Sequence, residues 1–423
     1  MQIWFHNEVT YPFVPDEVLE SADSVRASLP SRYCEPERAA DLFEECIDEF
    51  LLCDELGLNV VAIEHHAGIN SLLSANPLLV GILARQTRKA RILSLGTLVS
   101  LRQEPVRIAE EYATADVISR GRLEIGFVKS GGSEMASNNA NPVNNVGRFW
   151  EAIDLIGKAL TEHDGPFRWE GRYFTHRHVN VWPRAWQQPH PRMWAATGDP
   201  ATAAEVGRRG MVNALILRGR EETCRAWAAY REARRSDGLA PVDADHFAYA
   251  AMVAVADTHE AGVALGEKLL WFLNTGLKSA PQFSRLLPGT IPAEFAPKAF
   301  RSQREIVAAP EKGQSSADAF AAAPKNNRAL IGISPADAMA RGILFAGSPE
   351  TVFEQIREFY DDVGGFGHLV TMGRAGHMTH AETERSIELL AREVMPRLAD
   401  HHAAHIAGRT TLEADGKERF NGA

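Results

Sequence analysis

The strongest constraint on this chain is a rhythm in which short aliphatic runs alternate with longer segments of helical period. Strand-like runs fall at 2–5, 60–64, 91–99, 122–128, 192–196, 211–217, 246–255 and 367–372. Helical segments fall between and after them, at 37–56, 77–88, 105–118, 146–161, 200–209, 221–235, 258–275, 349–360 and 381–398. Such alternation implies right-handed crossovers and a mostly parallel sheet. The runs are apolar on both alternating faces, as strands are when helices cover both sides. An open doubly wound sheet and a closed barrel both satisfy this pattern. A dinucleotide fold wants GxGxxG after its first strand, and none is present. The reading therefore favours an α/β fold of eight strand–helix units, a (β/α)8 TIM barrel.

Two stretches break the rhythm. Residues 165–191 are aromatic, alternating and punctuated by Pro, and are read as a β-excursion before strand five. Residues 279–341 have weak periodicity and many Pro, Ala, Ser and Lys residues, and are read as a long lid insertion before strand eight. The chain is thus expected to be one barrel over 1–400, with 401–423 a polar C-terminal tail that frays.

Composition narrows the function classes. The chain has 423 residues, 45% hydrophobic and 24% charged, ample for one large core. A formal net charge of −10 repels nucleic-acid phosphates and anionic lipid, so neither nucleic acid nor membrane is expected as a partner. The first residues, MQIWFHNEVTY, lack the basic-then-apolar pattern of a secretory signal. Cys34, Cys46, Cys53 and Cys224 form no CxxC and no cluster with His. They are read as buried free thiols in a reducing compartment, and the expected location is cytoplasmic, with no metal centre.

In a barrel, the C-terminal strand ends and the loops after them form the active-site mouth. That rim collects His6 and Asn7; Glu64, His65 and His66; Thr97 to Ser100; Lys129 to Ser133; Thr197, Gly198, Asp199 and Thr202; and Gly373 with Arg374. Adjacent histidines at a strand end point to opposite sides, so one of His65 and His66 can face the mouth. Spacing alone leaves open a general base or a hydrogen-bonded structural pair. Lys129 followed by Ser130, Gly131 and Gly132 suits an anion, because glycines let amides approach and the ammonium supplies charge. The helix start near Thr202 offers a second set of amides, while Asp199 would repel an anion unless it turns away as the cap.

On these residues the chain resembles the bacterial luciferase-like flavin-dependent monooxygenase family. The stretches that carry the resemblance are NVVAIEHH, LGTLVSLRQEPVRIAEEYATADVISRGRLEIGFVKSGG, WPRAWQQPHPRMWAATGDPATAAEVGRRG and FAGSPETVFEQI. The resemblance implies a (β/α)8 barrel holding reduced FMN at its mouth, with O2 giving a flavin C(4a)-peroxide that oxygenates a small, apolar organic substrate. It implies a two-component system, with FMN reduced by a separate NAD(P)H:flavin reductase, and a homodimer. By position, His65 matches the catalytic histidine. Lys129, with the turn through Gly131, falls where the luciferase branch has a phosphate-binding arginine. Gly198, Asp199 and Thr202 match the phosphate loop, in which Asp199 replaces a hydroxyl. Thr97 and Leu98 fall where a non-proline cis peptide shapes the flavin seat, and Val128 where the luciferase branch has a reactive cysteine. His6, Glu64 and the lid would shape the substrate cavity. Two rival readings remain: a deazaflavin-dependent hydride-transfer enzyme, and a non-catalytic, luciferase-β-like flavin-binding subunit.

Overall fold

The computed structural model describes residues 1–275, 330 and 332–420. The strands are β1 (Gln2–Asn7), β2 (Asn59–Ala62), β3 (Ile92–Thr97), β4 (Leu123–Val128), β5 (Phe167–Glu170), β6 (Thr175–Val179), β7 (Met193–Ala196), β8 (Val212–Ile216), β9 (Phe247–Val255), β10 (Leu344–Gly347) and β11 (His368–Arg374). β1, β2, β3, β4, β7, β8, β9 and β11 pair in parallel in that order, and β11 returns to β1. Eight strands therefore close a ring, and helices cover its outside, as in a TIM barrel.

Local sequence explains the connecting helices. Pro36–Leu56 begins on a proline and ends at Gly57, whose φ of 85° is open to glycine without a Cβ penalty. Pro105–Ser119 and Pro349–Asp362 likewise start on proline, the latter capped by the Ser348 hydroxyl accepting from the Thr351 amide. Between β4 and β7, β5 and β6 form a separate antiparallel pair, within the stretch read as an excursion.

The structure departs from the sequence reading in two places, at β10 and after Asp400. β10 was not expected; it pairs with the last residues of β9, from Met252 to Val255, after β11 has paired with the residues before them. Four residues, Leu-Phe-Ala-Gly, are too short to show a period. The expected lid lies almost wholly outside the described residues, and its described end contains the helix Pro335–Ala340. The segment after Asp400 is helix, part of Met395–Phe420, where a frayed tail was expected. Tyr360 anchors its first turns, with its hydroxyl 2.7 Å from His402 Nδ1 and its ring edge-on to His401 and His405.

The N-terminal half of the barrel is plugged. Trp4 and Trp194 are fully buried, their rings 5.4 Å apart and edge-on, and the His368 ring lies 4.6 Å from that of Trp194. Trp4 Nε1 donates to His368 Nδ1 at 3.2 Å, and His368 Nε2 donates to the Asp245 carbonyl at 2.9 Å. Both ring nitrogens are thereby committed to the neutral form. Burial, with Arg192 nearby, pushes this imidazole down to about 3. In the unfolded chain a histidine takes its proton near 6.5, so between pH about 6.5 and about 3 the unfolded state binds more protons and stability is lost as pH falls. We predict that His368→Gln, which keeps a donor and an acceptor, flattens the pH dependence of the urea midpoint in that window. The expected difference in slope is up to about 1.4 kcal/mol per pH unit.

Candidate active site

Alternation along β1 sets the first wall. Trp4 and His6 point into the barrel, while Phe5 packs outward on Phe50. Asn7 also points outward, giving its amide to Glu49 at 2.6 Å in a buried network with Arg374 and His380. Asn7 and Arg374 are therefore rim residues in sequence only.

Above the tryptophan plug the inward positions are small or aliphatic, including Val61, Leu95, Gly96, Val128, Ala196 and Ala250. They leave a cavity of about 340 Å³ at the barrel mouth. β3 and β4 pack so closely that a Cβ on Gly96 would meet Val128 Cγ1 at 2.8 Å. The non-proline cis peptide lies between Leu95 and Gly96, two residues before the expected Thr97 and Leu98, at the glycine where that close approach is possible.

One end of the cavity carries titratable groups. His65 Nδ1 lies 3.1 Å from Glu8 Oε2, and His6 Nε2 lies 3.5 Å from Glu8 Oε1, so one buried carboxylate is shared by two imidazoles. Arg26 Nη2 lies 3.4 Å from His65 Nε2, a nitrogen that accepts only when the ring is neutral. Burial and Arg26 therefore oppose the charge on His65, but Glu8, by its charge and hydrogen bond, holds the imidazole above its ordinary value. Burial wins at His6 and holds it below the ordinary value despite Glu8. Glu8 itself is pushed up by burial, but its two histidines bring it below the usual carboxylate range.

His66 faces the other way, its Nε2 3.4 Å from Glu64 Oε1 and its amide 3.3 Å from Glu134 Oε1. Glu64 lines the cavity, but its carboxylate is met by Arg102 at 3.3 Å and accepts from the Leu98 amide at 3.4 Å. Its charge is balanced from behind. Glu134 also takes the Gly131 amide at 3.0 Å, closing the turn after β4.

Another part of the lining is cationic. Lys129 and Gly198 line it, and Lys129 Nζ donates to the Thr202 hydroxyl at 2.8 Å. Burial pushes Lys129 down from the ordinary lysine value, with Asp199 at 3.9 Å opposing that shift.

Of the residues read from sequence, His6, Glu64, His65, Leu98, Val128, Lys129, Gly131 and Gly198 line this cavity. Thr97, Asp199 and Thr202 do not. Thr97 turns outward, its hydroxyl 2.5 Å from that of Tyr112, because the register shifts between Ser94 and Thr97 and breaks the alternation that would have put it beside Leu95. Asp199 caps the helix Pro200–Arg208, accepting from the Ala201 and Thr202 amides at 3.3 and 3.0 Å and from the Thr202 hydroxyl. Thr202 is thus committed to Asp199 and Lys129.

Sequence reasoning missed Glu8, Arg26, Glu134 and Arg218. Arg218 had a signal, since it follows β8 directly at a rim position. Glu8 lies just past β1, and its approach to His65 depends on how the first two loops pack. Arg26 is brought in by the tertiary fold, whereas Glu134 lies just past the Lys129–Ser133 turn and closes it locally.

The cavity's volume and apolar walls suit a cofactor-sized ligand, and its cationic end suits an anionic tail. Among the described residues, no helix is long and apolar enough to cross a membrane. The chain resembles the flavin-dependent trigonelline monooxygenase, oxygenase component, of Acinetobacter baylyi, at 26% identity over 40% of this chain and 47% of that protein. The match thus spans about half that relative's length. Limonene 1,2-monooxygenase of Rhodococcus erythropolis is 23% identical over 79% of this chain and 75% of its own. Among solved structures, the oxygenating constituent of 3,6-diketocamphane monooxygenase of Pseudomonas putida, in complex with FMN, superposes with a TM-score of 0.61 at 20% identity, over 85% of this chain and 93% of that one. The family model described as luciferase-like monooxygenase matches residues 28–365, and the chain belongs to that family.

Proposed function

We propose that this chain is the oxygenase component of a two-component monooxygenase, using reduced FMN from a separate reductase and O2 to oxygenate a small, apolar organic substrate. The observation that carries this reading is the cavity's polarity. An imidazole whose protonated form is favoured by Glu8 and a cationic corner at Lys129 both line an apolar seat of about 340 Å³.

When bound, reduced FMN supplies the electrons that activate O2. The chain's own residues do the rest. Lys129 and the backbone at Gly198 hold the phosphate end. Val61, Leu95, Val128 and Ala250 form dry walls for the ring and exclude water from it. His65, whose protonated form Glu8 favours, can present a donor to negative charge developing on oxygen or substrate. His6, whose neutral form burial favours, lines the cavity beside it. Glu64, balanced by Arg102, shapes the cavity wall without an unpaired charge.

Turnover of apolar candidate substrates with chemically reduced FMN, followed by incorporation of labelled O2 into product, tests this reading. Hydride transfer from a deazaflavin without oxygen consumption would support that rival instead. Release of hydrogen peroxide alone with every substrate would support a non-catalytic flavin-binding subunit. His65→Ala should lower oxygenation about 100-fold or more while leaving FMN affinity within about 3-fold, measured by product yield and fluorescence titration. Glu8→Gln removes the interaction that raises the His65 pKa. The high-pH limb of the turnover profile, where His65 loses its proton, should therefore move to lower pH. A limb that stays in place would remove the Glu8–His65 pair from the chemistry.

A further inference from the structure

We propose that the ligand's anionic end sits between Lys129 and Arg218 over Gly198, with Arg218 supplying the charge that the start of helix Pro200–Arg208 does not. This rests on the flavin reading above and refines where its phosphate binds.

The helix start is already occupied by its own residues. The Asp199 carboxylate takes the Ala201 and Thr202 amides and the Thr202 hydroxyl, so an anion approaching those donors meets a negative charge. Lys129 is partly spent as well, donating to Thr202 at 2.8 Å with Asp199 at 3.9 Å. A phosphate dianion needs a further cation on this side.

Arg218 lines the same cavity. Its side chain lies across Gly198, where a Cβ would meet Arg218 Nε at 2.7 Å and Cδ at 3.2 Å. A side chain at this position would displace the arginine from there. The chain is also bent to bring the arginine there. Leu217, just past β8, has a φ of +51°, a left-handed conformation that a branched side chain rarely adopts. The Tyr249 hydroxyl donates to the Arg218 carbonyl and reaches the Gly342 carbonyl at 2.7 Å, fixing the strand end after the bend. A strained residue held by a buried tyrosine marks a place where position has been selected over backbone ease.

The guanidinium keeps capacity for a ligand. Arg218 Nη1 lies 3.4 Å from Glu222 Oε2, one turn along the next helix, and the side chain is 39% exposed. A guanidinium has five N–H donors in a planar fork that matches two phosphate oxygens.

The test compares FMN with riboflavin, which lacks the phosphate, by fluorescence titration of the full chain and of Arg218→Ala, Arg218→Lys and Asp199→Ser, with thermal melting of each. Arg218→Ala should raise the Kd for FMN about 10- to 100-fold and leave that for riboflavin unchanged. Arg218→Lys should restore part of the loss, because charge returns without the fork. Asp199→Ser should tighten FMN and not riboflavin. An Arg218→Ala protein that loses both flavins equally, or neither, overturns the assignment. A wild-type protein that binds both flavins equally well has no phosphate seat here, although the flavin reading survives. One that binds neither overturns both.

Discussion

A ring of eight strands closed on itself fixes how much side chain its interior can hold, and this chain spends that volume unevenly along the axis. At the N-terminal end two tryptophans and His368 fill the cross-section, with Trp194 Nε1 donating to Glu124 and Arg91 balancing that carboxylate at 2.5 Å. Toward the mouth the lining includes small residues, Gly96, Ala196, Ala250 and Ala251. The cavity follows from this gradient. Because close-packed interiors tolerate few voids, the bulky end must carry the packing that the open end gives up.

Charge follows a similar division. Several buried carboxylates surround the mouth, and most are balanced by groups that keep their state across ordinary pH. Glu49 is held by Arg374, Glu64 by Arg102, and Glu134 by backbone amides. Glu8 differs, since its hydrogen-bond and ion-pair partners are His65 and His6. Its charge is compensated by side chains that gain and lose protons near neutrality. The protonation of this end of the cavity is therefore a property of the three groups together.

The barrel was legible in the sequence because parallel strands buried on both faces read as apolar runs, and the intervening helices are long enough to show their period. β10 was not, because four residues carry no period and pair outside the eight-strand ring, with the end of β9. The site was legible where strand ends fix direction, as at His6, His65, Val128 and Lys129. Thr97 was misplaced because a register shift along β3 turns its side chain from the cavity to Tyr112. Glu8 and Arg26 reach His65 from loops whose path is set by packing, and no local pattern announces that.

Asp199 shows how a helix cap and an anion site compete. A capping carboxylate satisfies amides that would otherwise be orphaned and stabilises a helix by about 1 kcal/mol. It also removes those amides from any anion and adds a charge of the wrong sign. A chain that keeps the cap must bring positive charge from elsewhere, and the neighbouring strand is the nearest source. Leu217 bends so that Arg218 can lie over Gly198, and Tyr249 holds the bend. Side-chain charge from β8 thus does what the helix start of Pro200–Arg208 gave up. Discrimination for an anionic tail then depends on one arginine's fork rather than on a row of backbone amides.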